Sequence, residues 1–207
     1  MLTYENELWS QGLAVAGVDE VGRGCLFGDV VAAAVILPQG CELEGVDDSK
    51  KLTEKRREEL LPGIEKTAVA IGIGRVDAAT IDRINIKQAA RLAMKQAVEA
   101  LPAAPGHLLV DAESVDVPLP QTAIIHGDAL SLSIAAASIV AKVTRDRLCL
   151  EWDMMYPEYG VAVHKGYATK LHRERLLLYG PSPMHRRSFL KKLFAERTEP
   201  VEQMELF

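Results

Sequence analysis

LAVAGVDEVGRG, residues 13–24, is an apolar run that ends in charge. Residues 13–18 are small and apolar, the composition of a strand buried on both faces. Asp19 and Glu20 follow side by side, and Arg23 stands between Gly22 and Gly24. A buried carboxylate without a partner is unfavourable, and a second beside it more so. The pair therefore asks for a counter-charge. Successive strand residues point to opposite faces, so the two acids share one site only if the strand ends there and the glycines bend the backbone.

Other apolar runs surround this one. Residues 29–37 (DVVAAAVIL), 67–76 (TAVAIGIGRV), 107–111 (HLLVD) and 121–126 (QTAIIH) are expected strands. Ser49 or Thr53 is a candidate N-cap for a helix that Pro62-Gly63 stops. The spacing of Ile81, Ile84, Ala89, Leu92, Ala93, Ala97 and Leu101 predicts one helix over 78–101. Residues 130–155 read as a long helix whose serines and alanines let it lie close to a sheet, and 169–179 and 187–197 as two short ones. The order predicts an α/β domain over 1–198 with a helical C-terminal extension from about 165, then an acidic tail over 199–207.

The chain has 207 residues, 48% hydrophobic and 26% charged, which suits one globular domain. The run 30–37 is far short of a membrane span, and MLTYENELWS, without a basic residue, is not a signal peptide. Cys25, Cys41 and Cys149 lack zinc-ligand spacing and read as free thiols of a cytoplasmic protein. The net charge of −5 hides an asymmetry. Residues 164–192 hold eight Lys/Arg against one acid, whereas 196–207 hold four glutamates against one arginine. The basic segment is either a solvated helical face or a track for a polyanion.

Asp19, Glu20, Asp111 and Asp128 all fall at the ends of strand-like runs, where an α/β sheet opens its crevice. Singly, each suits a turn or a helix cap. Together, with no histidine or cysteine ligand pattern nearby, they form a hard, oxygen-only donor set for Mg²⁺ or Mn²⁺. Such ions neutralise the carboxylates and support phosphodiester hydrolysis.

GVDEVGRG (17–24), DDSKKL (47–52), VDAES (110–114), GDALSLSIAAASIVAKVTRD (127–146), HKGYATKLH (164–172) and YGPSPMHRRSF (179–189) together resemble the ribonuclease HII family. The resemblance implies a ribonuclease H-like fold, a mixed five-stranded sheet flanked by helices. It implies a metal-dependent endoribonuclease that hydrolyses the RNA strand of RNA–DNA hybrids. It also implies cutting on the 5′ side of single ribonucleotides embedded in duplex DNA, leaving a 3′-hydroxyl and a 5′-phosphate. Asp19, Glu20, Asp111 and Asp128 match the family's catalytic, metal-binding acids. Gly22, Arg23 and Gly24 match the loop that reads the 2′-hydroxyl, Tyr167 the tyrosine at the RNA–DNA junction, and Lys50 a phosphate neighbour. Val21, Ala112-Glu113 and Ala168 depart from the usual residues; Glu113 either crowds the metals or points outward.

The residues themselves suit those roles. Telling RNA from DNA requires contact with the 2′-hydroxyl, and glycine lets the backbone approach it. Arg23 would add a fork to a phosphate. Tyr167 either packs its face on a deoxyribose or is a half-buried core tyrosine. Residues 165–192 become the duplex track. Lys142 is placed to face the acids, Arg145 and Arg147 to lie at the surface or against the helix dipole, and Ser133 and Ser138 to pack. His126, His164 and His185 are scattered and carry no metal role. Gln203, Leu206 and Phe207 resemble the peptide with which bacterial replication proteins bind a sliding clamp; a frayed terminus is the alternative.

Two other functions compete. An actin-like or sugar-kinase-type phosphotransferase also opens with Gly-x-Asp-x-Gly, but here Glu20 crowds the phosphate position. A non-catalytic nucleic-acid-binding module would not gather four acids against phosphates without metals. The related HIII type carries an extra N-terminal domain, for which a chain reaching its acids at residue 19 leaves no room.

Overall fold

The structure, a computed structural model, describes residues 1–195. Its five strands are β1 (Val15–Val21), β2 (Val30–Ile36), β3 (Ala70–Val76), β4 (His107–Asp111) and β5 (Gln121–Ile124). They form one mixed sheet in the order β3-β2-β1-β4-β5. β1, β2 and β3 pair antiparallel, whereas β4 lies parallel to β1 and β5 parallel to β4. The described helices are α1 (Thr3–Trp9), α2 (Glu54–Thr67), α3 (Ala78–Ile84), α4 (Ile86–Glu99), α5 (Gly127–Leu130), α6 (Leu132–Met155), α7 (Val161–His164), α8 (Lys170–Tyr179) and α9 (Arg187–Ala195).

Strand alternation divides the core between two faces. Val15, Ala33 and Val35 pack with Ile134, Ala135 and Ala136 of α6. Ala16, Val18, Ala32 and Ala34 pack with Ala89, Ala90, Ala93 and Ala97 of α4. Gly17 lies beneath α6, where a Cβ would stand 2.0 Å from the Ser133 carbonyl carbon. The small residues of β1 and α6 thus bring helix and strand backbones into direct contact. The N-terminus of α6 is buried, so its donors need partners. Ser131 caps it by accepting from the Ile134 N–H. Glu5 of α1 accepts from the Ser131 hydroxyl at 2.5 Å and the Ser133 N–H at 2.9 Å.

Several boundaries differ from the sequence reading. β1 continues through both acids to Val21, so the strand does not end at the acids, and the backbone turns only at Gly22, with a φ of 95°. α2 begins at its Thr53 cap but runs through Pro62 to Thr67; Leu60, Leu61 and Ile64 are buried, and that packing outweighs the missing hydrogen bond. The helix expected over 78–101 is broken at Asn85, whose φ of 67° ends α3 while its side chain caps α4 at Gln88. The long helix expected over 130–155 is observed as α6 from Leu132, after extended Ser131, and the one-turn helix α5 precedes it. Cys25, Cys41 and Cys149 are free thiols.

Candidate active site

The parallel register of β1 and β4 sets Val18 opposite Val110, so Asp19 and Asp111 leave the sheet as neighbours. Asp128 joins them from the first turn of α5. Carboxylate oxygens of Asp19, Asp111 and Asp128 lie within 4.8 Å of one another. Each is oriented from its own surroundings. The Gly127 N–H donates to Asp111 Oδ1 at 2.7 Å, and the Glu20 N–H to Asp19 Oδ1 at 2.8 Å. Ser138 of α6, whose hydroxyl meets that of Ser49 at 2.7 Å, also favours the Asp19 carboxylate, a role beyond the packing expected of it. Glu20 follows the opposite parity of the strand and faces Arg23, whose Nη1 donates to its Oε1 at 3.2 Å. Its Oε2 is buried without a hydrogen-bond partner. Asp19 and Glu20 nevertheless border one cavity of about 260 Å³, with Lys50, Ser138, Lys142 and Tyr167 on its walls.

Negative charge is poorly compensated here. Burial pushes the Asp19 carboxyl well above the ordinary range, and Glu20 adds to the effect while Ser138 opposes it. Burial also raises Glu20, against the pull of Arg23. Asp111 is raised by burial, partly offset by the Gly127 N–H. Besides Arg23 on Glu20, Lys50 answers it: its Nζ meets Asp128 Oδ2 at 2.7 Å. Burial works against the Lys50 charge, but Asp128, Asp19 and Asp111 outweigh it and raise its pKa. Arg57, unmarked in the sequence, holds the Lys50 loop by donating to the Ser49 and Leu52 carbonyls at 2.8 and 2.5 Å. Lys142 borders the cavity as expected, with its Nζ on Asp146 at 2.5 Å.

Two loops flank the acids. Gly22 takes a φ of +95°, and a Cβ there would meet Arg145 Nε at 2.3 Å, so the position suits glycine alone. At Gly24 a Cβ would meet nothing within 4 Å. No hydrogen bond among the described residues takes the Arg23 or Gly24 N–H. Arg23 also lies 3.6 Å from Glu113, which is held by Arg91 at 2.8 Å; Glu113 therefore belongs to this ion-pair chain and not to the acid cluster. Tyr167 is 40% exposed at the cavity wall.

Two arginines stand where the sequence did not place them. Arg145, expected at the surface, is fully buried and donates to the Asp29, Lys165 and Phe27 carbonyls. Arg186, expected on the duplex track, is fully buried and donates to the Gly22, Arg23 and Gly28 carbonyls. Their acceptors are backbone groups distant in the chain, which no local pattern reveals. Arg147 is exposed on Glu58 at 2.6 Å, as expected. Gln203, Leu206 and Phe207 lie outside the described residues.

Comparison with known proteins agrees with this architecture. The family model for ribonuclease HII matches residues 16–194. The ribonuclease HII of Alkaliphilus metalliredigens is 61% identical over 199 residues, covering 93% of this chain and 98% of its own. That of Alkaliphilus oremlandii is 55% identical, with the same coverage. Among solved structures, ribonuclease H2 from Pyrococcus horikoshii aligns with a TM-score of 0.74 at 27% identity over 90% of this chain and 99% of its own. The RNase HII of Archaeoglobus fulgidus, solved in complex with PCNA, aligns at 0.72 and 26% identity over 90% and 98%. Bst-RNase HIII in complex with Mn²⁺ shares the fold at 0.70 and 20% identity, over 91% of this chain and 71% of its own. The mixed five-stranded sheet is that of the ribonuclease H-like fold, and the chain belongs to the ribonuclease HII family.

Proposed function

We propose that this endoribonuclease, whose substrates are RNA–DNA hybrids, also cuts on the 5′ side of a single ribonucleotide in duplex DNA. Asp19, Glu20, Asp111 and Asp128 are its acids, and the products carry a 3′-hydroxyl and a 5′-phosphate. The observation that carries the assignment is the convergence of Asp19, Asp111 and Asp128 within 4.8 Å, beside Glu20 and Tyr167 on one cavity. Family membership favours neither a phosphotransferase nor a non-catalytic binding module.

The residues fit a divalent cation. The donors are all oxygen, Lys50 supplies one positive charge against the cluster, and Glu20 Oε2 is buried without a partner. Mg²⁺ or Mn²⁺ suits such a set, and a relative in fold was solved with Mn²⁺. Asp19, Asp111 and Asp128 would hold it, with Glu20 adjoining. When bound, the ion lowers the pKa of an attacking water and stabilises the departing oxygen.

The chain's own groups do the rest. The Glu20 N–H and the Gly127 N–H fix the carboxylates of Asp19 and Asp111, Ser138 favours the Asp19 charge, and Lys50 holds Asp128 where the scissile phosphate would lie. The free amides of Arg23 and Gly24 are donors for the 2′-hydroxyl. The Arg23 side chain is 41% exposed although its carboxylate partners are mostly buried, so its guanidinium is open to a phosphate as a further partner. Tyr167 presents its ring to the neighbouring deoxyribose.

Among the described residues no helix is long and apolar enough to cross a membrane; with three free cysteines, a cytoplasmic location fits. The tail residues Gln203, Leu206 and Phe207 are our candidates for a sliding-clamp contact, in keeping with the archaeal relative solved with PCNA.

The test is a duplex bearing one ribonucleotide, incubated with and without Mg²⁺, with the cut site mapped. Cleavage on the 5′ side that requires the ion, and its loss in Asp19→Asn and Asp128→Asn, is the expected result. Near-normal turnover in either variant removes the acids from the mechanism.

A further inference from the structure

Three histidines that are scattered in the sequence meet beneath the Tyr167 loop. His164, His172 and His185 are 6%, 0% and 1% exposed. The rings of His164 and His172 stack at 4.1 Å with planes 14° apart, and Phe27 and Tyr159 each lie 4.7 Å from the His185 ring.

Every ring nitrogen has a partner, and the partners fix the tautomers. The Ser182 N–H donates to His185 Nδ1 at 3.0 Å, so that nitrogen is unprotonated and His185 Nε2 carries the hydrogen. His185 Nε2 faces His172 Nε2 at 3.1 Å, which must accept. His172 therefore bears its hydrogen on Nδ1, which donates to the Tyr167 carbonyl at 2.9 Å. In His164, Nδ1 accepts from the Gly166 N–H at 3.1 Å and Nε2 donates to the Tyr159 carbonyl at 2.9 Å. All three rings are thus neutral, and a second proton on any of them would set two donors against each other. The relay runs one way, from Ser182 through His185 and His172 to Tyr167.

The loop it reaches holds one residue that disfavours its own conformation, Lys165. Lys165 and Gly166 both take left-handed φ values, 52° and 85°. Tyr167 follows directly, and its ring leaves the loop for the cavity that holds Asp19 and Glu20. Next to His185, Arg186 grips the Gly22 and Arg23 carbonyls at 2.7 and 3.1 Å. Two adjacent residues of the C-terminal extension therefore set the two loops that flank the acids.

We propose that His172, oriented by His185, is a positioning residue for Tyr167: its Nδ1–H anchors the Tyr167 backbone and so aims the ring at the sugar beside the cut. The proposal rests on the reading of Tyr167 as the junction residue. Its consequence is selectivity. A hybrid with a continuous RNA strand has no ribose–deoxyribose junction, so the relay matters for a single embedded ribonucleotide more than for a continuous hybrid.

Amide isosteres test it on the full chain. Asn places its amide near Nδ1 of histidine, and Gln places its amide near Nε2. His172→Asn keeps the donor to Tyr167, whereas His172→Gln loses it. At position 185 the donor is Nε2, so the order reverses: His185→Gln keeps the relay and His185→Asn breaks it. The readout is the ratio of kcat/KM on a single-ribonucleotide duplex to that on a continuous RNA–DNA hybrid. The relay-breaking variants are expected to lower it by about tenfold or more, since a misplacement of about 1 Å can cost up to about a hundredfold. The relay-keeping variants are expected to stay within about twofold of the wild-type ratio, below the scale of a misplaced contact.

The same ranking of Asn and Gln at both positions overturns the proposal, because a packing role depends on size and not on which nitrogen donates. Tyr167→Ala separates the two readings. If it lowers the ratio and the relay-breaking variants do not, the relay alone fails; if it leaves the ratio unchanged, the junction role of Tyr167 fails with it. Should the variants not fold, imidazole ¹⁵N shifts of the wild-type protein decide. One Nδ1–H ring and two Nε2–H rings are expected, and a different tautomer pattern overturns the proposal.

Discussion

Asp19 is 4% exposed, beside three further acids that share its cavity or its cluster. Its charge is unfavourable in the folded protein unless a cation is present. Asp19→Asn removes that charge without changing shape, so the variant should lose cleavage while its Tm in metal-free buffer equals or exceeds that of the wild type. A marked drop in Tm would show that the carboxylate is needed for folding. The glycines of the adjoining loop separate in the same way. Gly22→Ala meets Arg145 at 2.3 Å in a left-handed conformation and should cost stability and activity together. Gly24→Ala has open space, so its stability should change by about 0.5 kcal/mol or less. Its Cβ would still face the ribose, and selectivity for a ribonucleotide over plain DNA should fall. Matched melting curves and binding curves on the two duplexes check both variants.

α6 is the element on which the site depends, since it carries Ser138 to Asp19 and Arg145 to both loops. Its N-terminus is secured from α1 by Glu5, which accepts from the Ser131 hydroxyl and the Ser133 N–H. Glu5→Ala leaves these buried donors without a partner, a loss of about 2 kcal/mol, or about 5 °C in Tm for a chain of this size. Calorimetry checks it; an unchanged Tm would mean that α6 needs no such cap. Glu5 was invisible in the sequence, where it reads as one acid of a polar start. The strands were legible because they are buried apolar runs. The acids were legible because they end those runs. The break at Asn85 was not, because a left-handed residue that ends one helix and caps the next leaves the hydrophobic period nearly intact. Pro62 was misread as a stop because local propensity was weighed without the packing of Leu60, Leu61 and Ile64.

At the scale of the molecule, the C-terminal extension is tied to the sheet by groups that must keep a set protonation state. Burial pushes His172 down to about 4 and His185 down to about 3, each reinforced by its histidine neighbours. Burial lowers His164 as well, although the Tyr159 carbonyl and Asp153 oppose it. The unfolded chain takes up these protons near pH 6.5, where the folded protein refuses them. Protons bound to the unfolded state then exceed those bound to the native state, and stability rises with pH. The contribution is complete above about pH 6.5, declines as pH falls toward 4 and then 3, and is level below. Asp19, Glu20 and Asp111 act in the opposite direction, because their raised pKa values add stability as pH falls. Comparing wild type with His172→Asn cancels that opposing part. The asparagine cannot titrate, so the wild-type Tm should fall faster than the variant's between pH 7 and 5. Because the unfolded chain begins to take up the His172 proton only near pH 6.5, the difference averages about 1 kcal/mol per pH unit over this interval, or about 3 °C in Tm. A Tm gap that stays constant over this interval would mean that folded His172 carries a proton. A neutral acceptor at its Nε2 could not then exist, and neither could the path from Ser182 to Tyr167.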